Sequence, residues 1–410
     1  MNFFLVFCFI FLLFIGIYSF KDIISPPVVL CITWLLPIAF VWFTELFQLE
    51  KYSFNFYSLI FVIGVILFYL GFHMQNKKMA RNDYQLNLNK KLIPTKIYFI
   101  FILLEIIIFL IFLKGVNQYV FSNYKYNYWF TYKWGTELGY FKELSIMPIM
   151  RVVSRVAVCT MLTILLNNRC KQNLFIFLIQ LIMTALYCCF GQGRGGIFSF
   201  VIPLFILYLI LNRKNLKKTL KTLFALSIII IVIFSIYSYL KAPYKSSNEN
   251  FLFSTLENYL GGSLVAFCNW ADSYRELTMG THTFQFFCKL LSLIGIKVPV
   301  ASLVQPYVEN IHGNIGNVYT IYHWYMSDFG CVYAVIIQFF LGNFHGFLYR
   351  KMYLKKDYFY TILNSMFYYP LVLQFFMDEY TTMISLWIQC VLFIYLFTNT
   401  KIFFKGDDKL

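Results

Sequence analysis

The chain alternates long apolar runs with shorter polar connections along nearly its whole length. A transmembrane helix needs about 20 predominantly apolar residues, and eleven runs approach that length. The pattern therefore predicts an all-α fold, a polytopic integral membrane helical bundle of about 11 transmembrane helices with one large extracytoplasmic loop. The predicted spans are Asn2 to Phe20, Ser25 to Phe47, Phe54 to Phe72, Lys96 to Leu113, Ser145 to Leu166, Leu174 to Phe190, Ile197 to Leu211, Thr222 to Leu240, Cys331 to Tyr349, Tyr358 to Phe376 and Met383 to Thr398.

Composition agrees with a membrane protein and shows no separate soluble domain. Of the 410 residues, 60% are hydrophobic and only 13% are charged, far from the usage of soluble domains. We therefore treat residues 1–410 as a single polytopic membrane domain, in which 241–330 forms the extracytoplasmic loop. The net charge of +16 does not indicate a nucleic-acid partner, because the basic residues lie in short connections between apolar runs.

The basic connections set the predicted orientation. When eleven spans are threaded through the bilayer, every second connection carries Lys or Arg, and the positive-inside rule places these on the cytoplasmic side. The N-terminus is then outside and the C-terminus cytoplasmic. Met1 to Phe20 has no basic n-region and no small-residue cleavage site, so we interpret it as an uncleaved span. The basic connections include Lys77, Lys78, Arg81, Lys90, Lys91, Arg169, Lys171, Arg213, Lys214, Lys217, Lys218, Lys221, Arg350, Lys351, Lys355 and Lys356.

The glycine-rich string GQGRGG, Gly191 to Gly196, joins two apolar runs on the predicted outer side. It satisfies the GxGxxG dinucleotide pattern, but that fingerprint requires a strand and a βαβ unit around it. Glycines at the start of a helix can still expose backbone N–H groups to an anion, and a guanidinium suits phosphate. We expect Gly193, Arg194 and Gly195 to bind a diphosphate at headgroup depth. The alternative is a tight turn with a snorkelling arginine.

Three further charges lie within predicted spans. Arg151 and Arg155 are four residues apart, on one helical face near the outer end of a span. They either extend the anion site or snorkel to the interface. Glu105 is central in its span, and we assign it no role in the site.

The long loop mixes carboxylates, stacking groups and a phosphate binder. We expect Tyr259, Asn269 and Trp270 to bind glycan and Arg275 to bind diphosphate. His282 to Val304 is predicted to lie along the membrane surface as an amphipathic helix. A second outer segment, Lys114 to Glu143, is rich in aromatics that either stack on sugars or, as we favour, sit at the membrane interface.

A transfer reaction needs a base to take a proton from an attacking hydroxyl. The outer candidates are Asp272, His312 and Asp328. His282 is less favoured, and His323 and His345 are interpreted as packing residues. The ten cysteines show no metal-ligand spacing, so no metal is expected. Cys268 and Cys288 either form a disulfide or, as we favour, are small buried apolar residues.

Three stretches, GQGRGGIFSF at Gly191 to Phe200, ENYLGGSLVAF at Glu257 to Phe267 and GNVYTIYHWYMSDFG at Gly316 to Gly330, resemble the oligosaccharide repeat unit polymerases, the Wzy-type O-antigen and capsule polymerases of bacteria. The resemblance implies a membrane glycosyltransferase acting on the extracytoplasmic face of the bacterial plasma (inner) membrane in O-antigen (lipopolysaccharide), capsule or exopolysaccharide synthesis. It would move a growing glycan from undecaprenyl pyrophosphate onto a new lipid-linked oligosaccharide repeat unit, without metal or cofactor.

The resemblance implies the lipid-linked oligosaccharide and the lipid bilayer as partners, together with a chain-length regulator and a flippase. Two alternatives stay open from the residues. An O-antigen ligase shares the topology and the donor. A lipid-linked oligosaccharide flippase belongs to another class, the transporters, and would be expected to line its spans with charge.

Overall fold

The computed structural model describes residues 1–46, 54–77, 95–123, 127–191, 195–212, 221, 260–273, 276–301, 305, 308–309 and 315–399. Within these residues the fold is built from helices and one antiparallel pair of two-residue strands, β1 (Val308–Glu309) and β2 (Ile315–Gly316). The helices are α1 (Asn2–Phe20), α2 (Pro26–Leu46), α3 (Leu59–Asn76), α4 (Thr95–Ser122), α5 (Tyr128–Glu137), α6 (Met147–Asn167), α7 (Lys171–Cys189), α8 (Gly195–Leu211), α9 (Gly262–Ser273), α10 (Gln285–Leu293), α11 (Tyr322–Lys355), α12 (Tyr358–Met366), α13 (Tyr368–Val372) and α14 (Ile384–Thr398).

In the described part of the chain, seven helical segments are long and apolar enough to cross a membrane. Gly195–Leu211 and Ile384–Thr398 are shorter apolar helices. The prediction of a helical membrane protein is therefore confirmed. The number of eleven spans remains a prediction, and the run Thr222 to Leu240 lies outside the described residues. The seven segments are Asn2–Phe20, Pro26–Thr44, Phe56–Asn76, Ile97–Ser122, Met147–Asn167, Lys171–Cys189 and Tyr322–Lys355.

The prediction of one continuous span from Tyr358 to Phe376 is wrong. The structure divides this stretch into α12, α13 and a 3-10 turn, Leu373–Phe375. The physical reason is Pro370, because proline has no backbone N–H. It cannot donate to the carbonyl oxygen of Met366, which lies four residues earlier and is the last residue of α12.

The described residues fall into two compact units, each assembled from three separate stretches of chain. The first unit comprises Met1–Asn82, Asn250–Leu354 and Phe367–Ser385. Its core contains α1, α2, α3, α9 and α11, and its fully buried side chains include Phe9, Trp34, Phe61, Phe267 and Tyr322. Trp34 and Phe61 stack with ring centroids 4.8 Å apart.

The second unit comprises Asp83–Glu249, Lys355–Met366 and Leu386–Leu410. Helix α6 is its most buried element, with an almost continuous run of buried residues from Val152 to Ile164. Helices α4 and α7 pack around it. Between α4 and the C-terminal end of α7 lies an aromatic cluster that includes Phe109, Phe112, Tyr187 and Phe190.

Hydrogen bonds in the first unit pair segments that the predicted topology places on the same side of the membrane. Asn2 accepts from the backbone N–H of Phe54 at 2.9 Å, at the predicted outer side. At the predicted inner side, the Tyr349 hydroxyl donates to Asp22. These contacts agree with the predicted alternation of spans, whereas the orientation itself stays a prediction.

Candidate functional site

A tight turn over residues 277–284 packs against a break in α11. Gly330 interrupts that helix with φ +82° and ψ 175°, a backbone conformation that is essentially restricted to glycine. The break ends the short first part of α11, which begins at Tyr322, just after Asp328. The turn attaches there, since the N–H of Thr278 donates to the carbonyl oxygen of Ser327 at 3.0 Å.

Asp328 is fully buried and accepts hydrogen bonds from the turn through both of its carboxylate oxygens. Oδ1 accepts from the Thr278 hydroxyl at 2.6 Å and from the N–H of His282 at 3.2 Å. Oδ2 accepts from the N–H of Thr283 at 2.6 Å. These donors fix the position of the carboxylate.

The same carboxylate lies 3.1 Å from Nδ1 of His282. An ionised carboxylate can only accept, so Nδ1 carries the hydrogen and the lone pair of a neutral ring lies on Nε2. Nε2 makes no hydrogen bond with any residue that the structure describes. The His282 side chain keeps 17% exposure, and its ring packs on Trp324 at 4.2 Å. Asp328 and His282 therefore form a carboxylate–histidine dyad.

A second histidine lies within the same aromatic group. The ring of His323 stacks on Tyr319 at 4.2 Å and also contacts Trp270 at 4.2 Å. It is buried, and neither ring nitrogen has a hydrogen-bond partner among the described residues. Burial raises the pKa of Tyr319 to about 12, so its hydroxyl stays protonated at neutral pH. Ring contacts thus connect Trp270, a predicted glycan contact, through His323 and Trp324 to His282.

Asp272, a predicted base, lies at the exposed edge of this region on α9. Its Oδ2 accepts from Nδ2 of Asn55 at 2.8 Å. Asn269 lies one turn earlier and is also exposed, whereas the N-terminal part of α9, from Gly262 to Cys268, is buried all round. This part of the predicted loop 241–330 is therefore a helix that packs into the core of the first unit. The amphipathic helix predicted over His282 to Val304 is shorter, spanning Gln285–Leu293, with Phe287, Leu290 and Leu293 exposed.

Sequence reasoning missed a buried acidic turn in the first unit. Asp378 is fully buried and accepts hydrogen bonds from the backbone N–H of Tyr380 at 2.9 Å and from the Tyr325 hydroxyl at 3.2 Å. Burial raises the pKa of Asp378, against the lowering effect of these hydrogen bonds. The Tyr380 hydroxyl lies 2.8 Å from Nε2 of His345. Two adjacent acids, Asp378 and Glu379, between apolar stretches are the signal that could have revealed it.

Arg151 forms a buried anchor in the second unit. Its Nη2 donates to both carboxylate oxygens of Glu143, at 2.9 and 2.8 Å, and to the carbonyl oxygen of Phe190 at 2.9 Å. Its Nε donates to the carbonyl oxygen of Tyr187 at 3.2 Å. The last two acceptors lie at the C-terminal end of α7, so the guanidinium caps that helix immediately before the glycine-rich string. In this structure Glu143 therefore neutralises the Arg151 guanidinium, which was one of the candidate diphosphate contacts.

Two of the glycines in the string have a packing reason. A Cβ atom on Gly191 or Gly196 would lie 3.0 or 2.9 Å from the carbonyl oxygen of Cys188. Gly195 is the first residue of α8. The remaining predicted site residues, Gly193, Arg194, Tyr259, Arg275 and His312, lie outside the described residues.

Arg155, four residues after Arg151, is buried within α6. It therefore does not snorkel to solvent in the isolated chain. All ten cysteines are free thiols, which excludes a Cys268–Cys288 disulfide in this structure. Among the described residues no group of three His, Cys, Asp or Glu side chains could hold a metal ion.

Comparison of the chain with protein-family models, with curated proteins and with solved structures finds no match.

Proposed function

We propose that this protein is a membrane glycosyltransferase that polymerises lipid-linked oligosaccharide repeat units. The observation that supports it best is the Asp328–His282 dyad, which lies beside an aromatic group containing Trp270 and Trp324. A histidine held by a carboxylate through Nδ1 is the arrangement that lets Nε2 act as a general base. Aromatic rings beside such a base suit a substrate made of sugar rings.

In the proposed reaction, Nε2 of His282 takes the proton from an acceptor sugar hydroxyl. The hydroxyl oxygen then attacks the anomeric carbon of the donor glycan. The bond from that carbon to the phosphate oxygen breaks, and its electron pair leaves with the polyprenyl diphosphate. Asp328 holds Nδ1–H of His282 and stabilises the imidazolium that forms. This assigns Asp328 a positioning role instead of the direct base role expected from the sequence.

The negative charge that develops on the leaving diphosphate needs a cation. Arg194 and Arg275 remain the proposed contacts, each by the suitability of a guanidinium for phosphate. Arg151 is not included, because Glu143 and two backbone carbonyls occupy its guanidinium in this structure.

A reconstituted reaction tests the proposal. Purified protein in detergent would receive synthetic lipid-linked repeat units, with products resolved by length. We expect His282→Ala and Asp328→Asn each to lower kcat by about 10²- to 10⁴-fold, the usual contribution of a positioned base. His73→Gln is the matched control, because His73 is exposed near the end of α3. Full polymerase activity in His282→Ala would overturn the assignment of the base.

The diphosphate contacts are tested in the same assay. We expect Arg194→Ala and Arg275→Ala to lower kcat/KM while the His73→Gln control keeps full rate. If both arginine variants polymerise normally, the proposed anion site is wrong even if the dyad assignment stands.

One observation favours the transporter alternative. Glu105 and Arg155 are ionisable residues buried inside helices α4 and α6, and buried intramembrane charges often mark transport pathways. The surface glycan of cells that lack this protein distinguishes a polymerase from a ligase or a flippase. Single repeat units attached at the surface would indicate a lost polymerase, whereas loss of all surface glycan would indicate a ligase or flippase.

A further inference from the structure

Four polar side chains meet inside the apolar helices of the second unit. Glu105 of α4, Ser154 of α6, and Gln180 and Thr184 of α7 are each completely buried. All three helices are apolar enough to span a membrane, and Glu105 lies near the middle of its own. A polar group in such a position is costly unless its hydrogen-bonding capacity is satisfied.

The hydrogen bonds within this cluster leave two of its acceptor oxygens without a partner. Nε2 of Gln180 donates to Oε2 of Glu105 at 2.8 Å and to Oγ of Ser154 at 3.2 Å. The hydroxyls of Ser154 and Thr184 are 2.9 Å apart. Oε1 of Glu105 and Oε1 of Gln180 are buried, and neither has a hydrogen-bond donor among the described residues.

No basic side chain in the described part of the chain forms an ion pair with Glu105. Arg155, the residue after Ser154, is buried as well, but it forms no ion pair with Glu105. The titratable group that faces Glu105 from α7 is Tyr187, whose hydroxyl donates to the Glu105 backbone oxygen at 2.7 Å. Helix α5 also packs on α4, but its Tyr128 bonds Asn117 and its Tyr132 bonds Glu143. The carboxylate therefore lacks a counter-charge from its described surroundings.

We propose that Glu105 and Gln180 form a binding site for a monovalent cation, H⁺ or Na⁺. A proton on Oε1 of Glu105 neutralises the carboxylate and turns one unused acceptor into a donor. Na⁺ would be coordinated by both oxygens, because hard cations prefer oxygen ligands. Either cation therefore removes the uncompensated charge of the buried carboxylate. This proposal uses residues of the second unit alone and does not depend on glycosyl transfer.

Thermal unfolding of the purified full-length protein tests the site. NaCl would be compared with choline chloride at equal ionic strength, at pH 6 and pH 8.5, for wild type and Glu105→Gln. If Na⁺ binds, we expect it to raise Tm by about 2 to 4 °C at pH 8.5, and less at pH 6 because protons compete. Glu105→Gln removes the charge and should respond to neither. Glu137→Gln, at an exposed glutamate of α5, is the matched control and should respond as wild type.

If the Tm of wild type depends on pH but not on Na⁺, and Glu105→Gln loses the pH response, the cation is H⁺. Equal responses of wild type and Glu105→Gln to both ions overturn the proposal.

Labelling of the wild-type protein gives a second measurement that does not require a folded variant. Dicyclohexylcarbodiimide is apolar and reacts with protonated carboxyl groups. We expect mass spectrometry to find the label on Glu105, with a rate that falls as pH rises and that Na⁺ lowers further if Na⁺ is a ligand. Absence of label on Glu105 at every pH would contradict the site.

Discussion

Individual side chains gain their roles from partners that are distant in sequence. His282 and Asp328 are 46 residues apart and nevertheless share a hydrogen bond. The sequence could identify Asp328 as a candidate, since it is an acid in a predicted outer loop. It could not rank His282, because neither periodicity nor a local motif indicates that the turn 277–284 reaches the break at Gly330. The packing role predicted for His323 agrees with its burial between Tyr319 and Trp270.

Arg151→Ala is expected to destabilise the second unit. The substitution leaves the Glu143 carboxylate without its cation and removes the guanidinium donor from the carbonyl oxygens of Tyr187 and Phe190, of which the second keeps the Tyr132 hydroxyl. Breaking a buried pair of this kind costs about 2 to 4 kcal/mol. Chemical or thermal unfolding in detergent would measure it.

Lys133→Ala is the matched control for Arg151→Ala. Lys133 pairs with Glu137 at 3.5 Å, but both side chains are more than a third exposed. An exposed pair contributes about 0 to 1 kcal/mol, so this variant should unfold close to wild type. Equal losses in the two variants would contradict an anchoring role for Arg151.

At the scale of the helix, apolar length predicted some boundaries closely, but the predicted end of the fourth span at Leu113 is wrong, because α4 continues through Lys114 to Ser122, and α5 occupies part of the predicted outer segment Lys114 to Glu143. Helix α1 ends at Phe20, as predicted, and α8 ends at Leu211, also as predicted. The prediction of a continuous helix over 358–376 was wrong, because hydrophobic content does not distinguish a continuous helix from one that proline breaks. Apolar length also assigned 262–273 to a loop, because a twelve-residue helix is too short to register as a span.

Gly330→Ala tests the importance of the break in α11. Any side chain at φ +82° and ψ 175° is strained by about 1 to 3 kcal/mol, and relief of that strain would move Asp328 away from the turn. We expect a lower Tm together with a loss of polymerase activity. Gly115→Ala is the control, because a Cβ atom there meets nothing within 4 Å. Wild-type Tm and activity in Gly330→Ala would show that the break is not required.

For the whole molecule, orientation in the membrane is the prediction on which the proposed chemistry depends. An epitope inserted after Gly139, which is exposed, should be stained in intact spheroplasts. The same epitope after Arg169, which is also exposed, should be stained only after permeabilisation. The positive-inside rule gives this expectation. The reverse pattern would place the glycine-rich string in the cytoplasm and exclude a diphosphate site on the outer face.

The division of each unit into three stretches has a consequence for biosynthesis. The Tyr368 hydroxyl bonds the backbone oxygen of Ile24, and Tyr349 bonds Asp22, so the earliest helices find partners more than 300 residues later in the chain. Contacts at such separation form late and slowly. While the ribosome is still translating the middle of the protein, α1 to α3 can pack on one another but must wait for their partners from α11 and α13. During that interval the newly inserted N-terminal helices are open to quality-control proteases and to mispairing with other nascent chains.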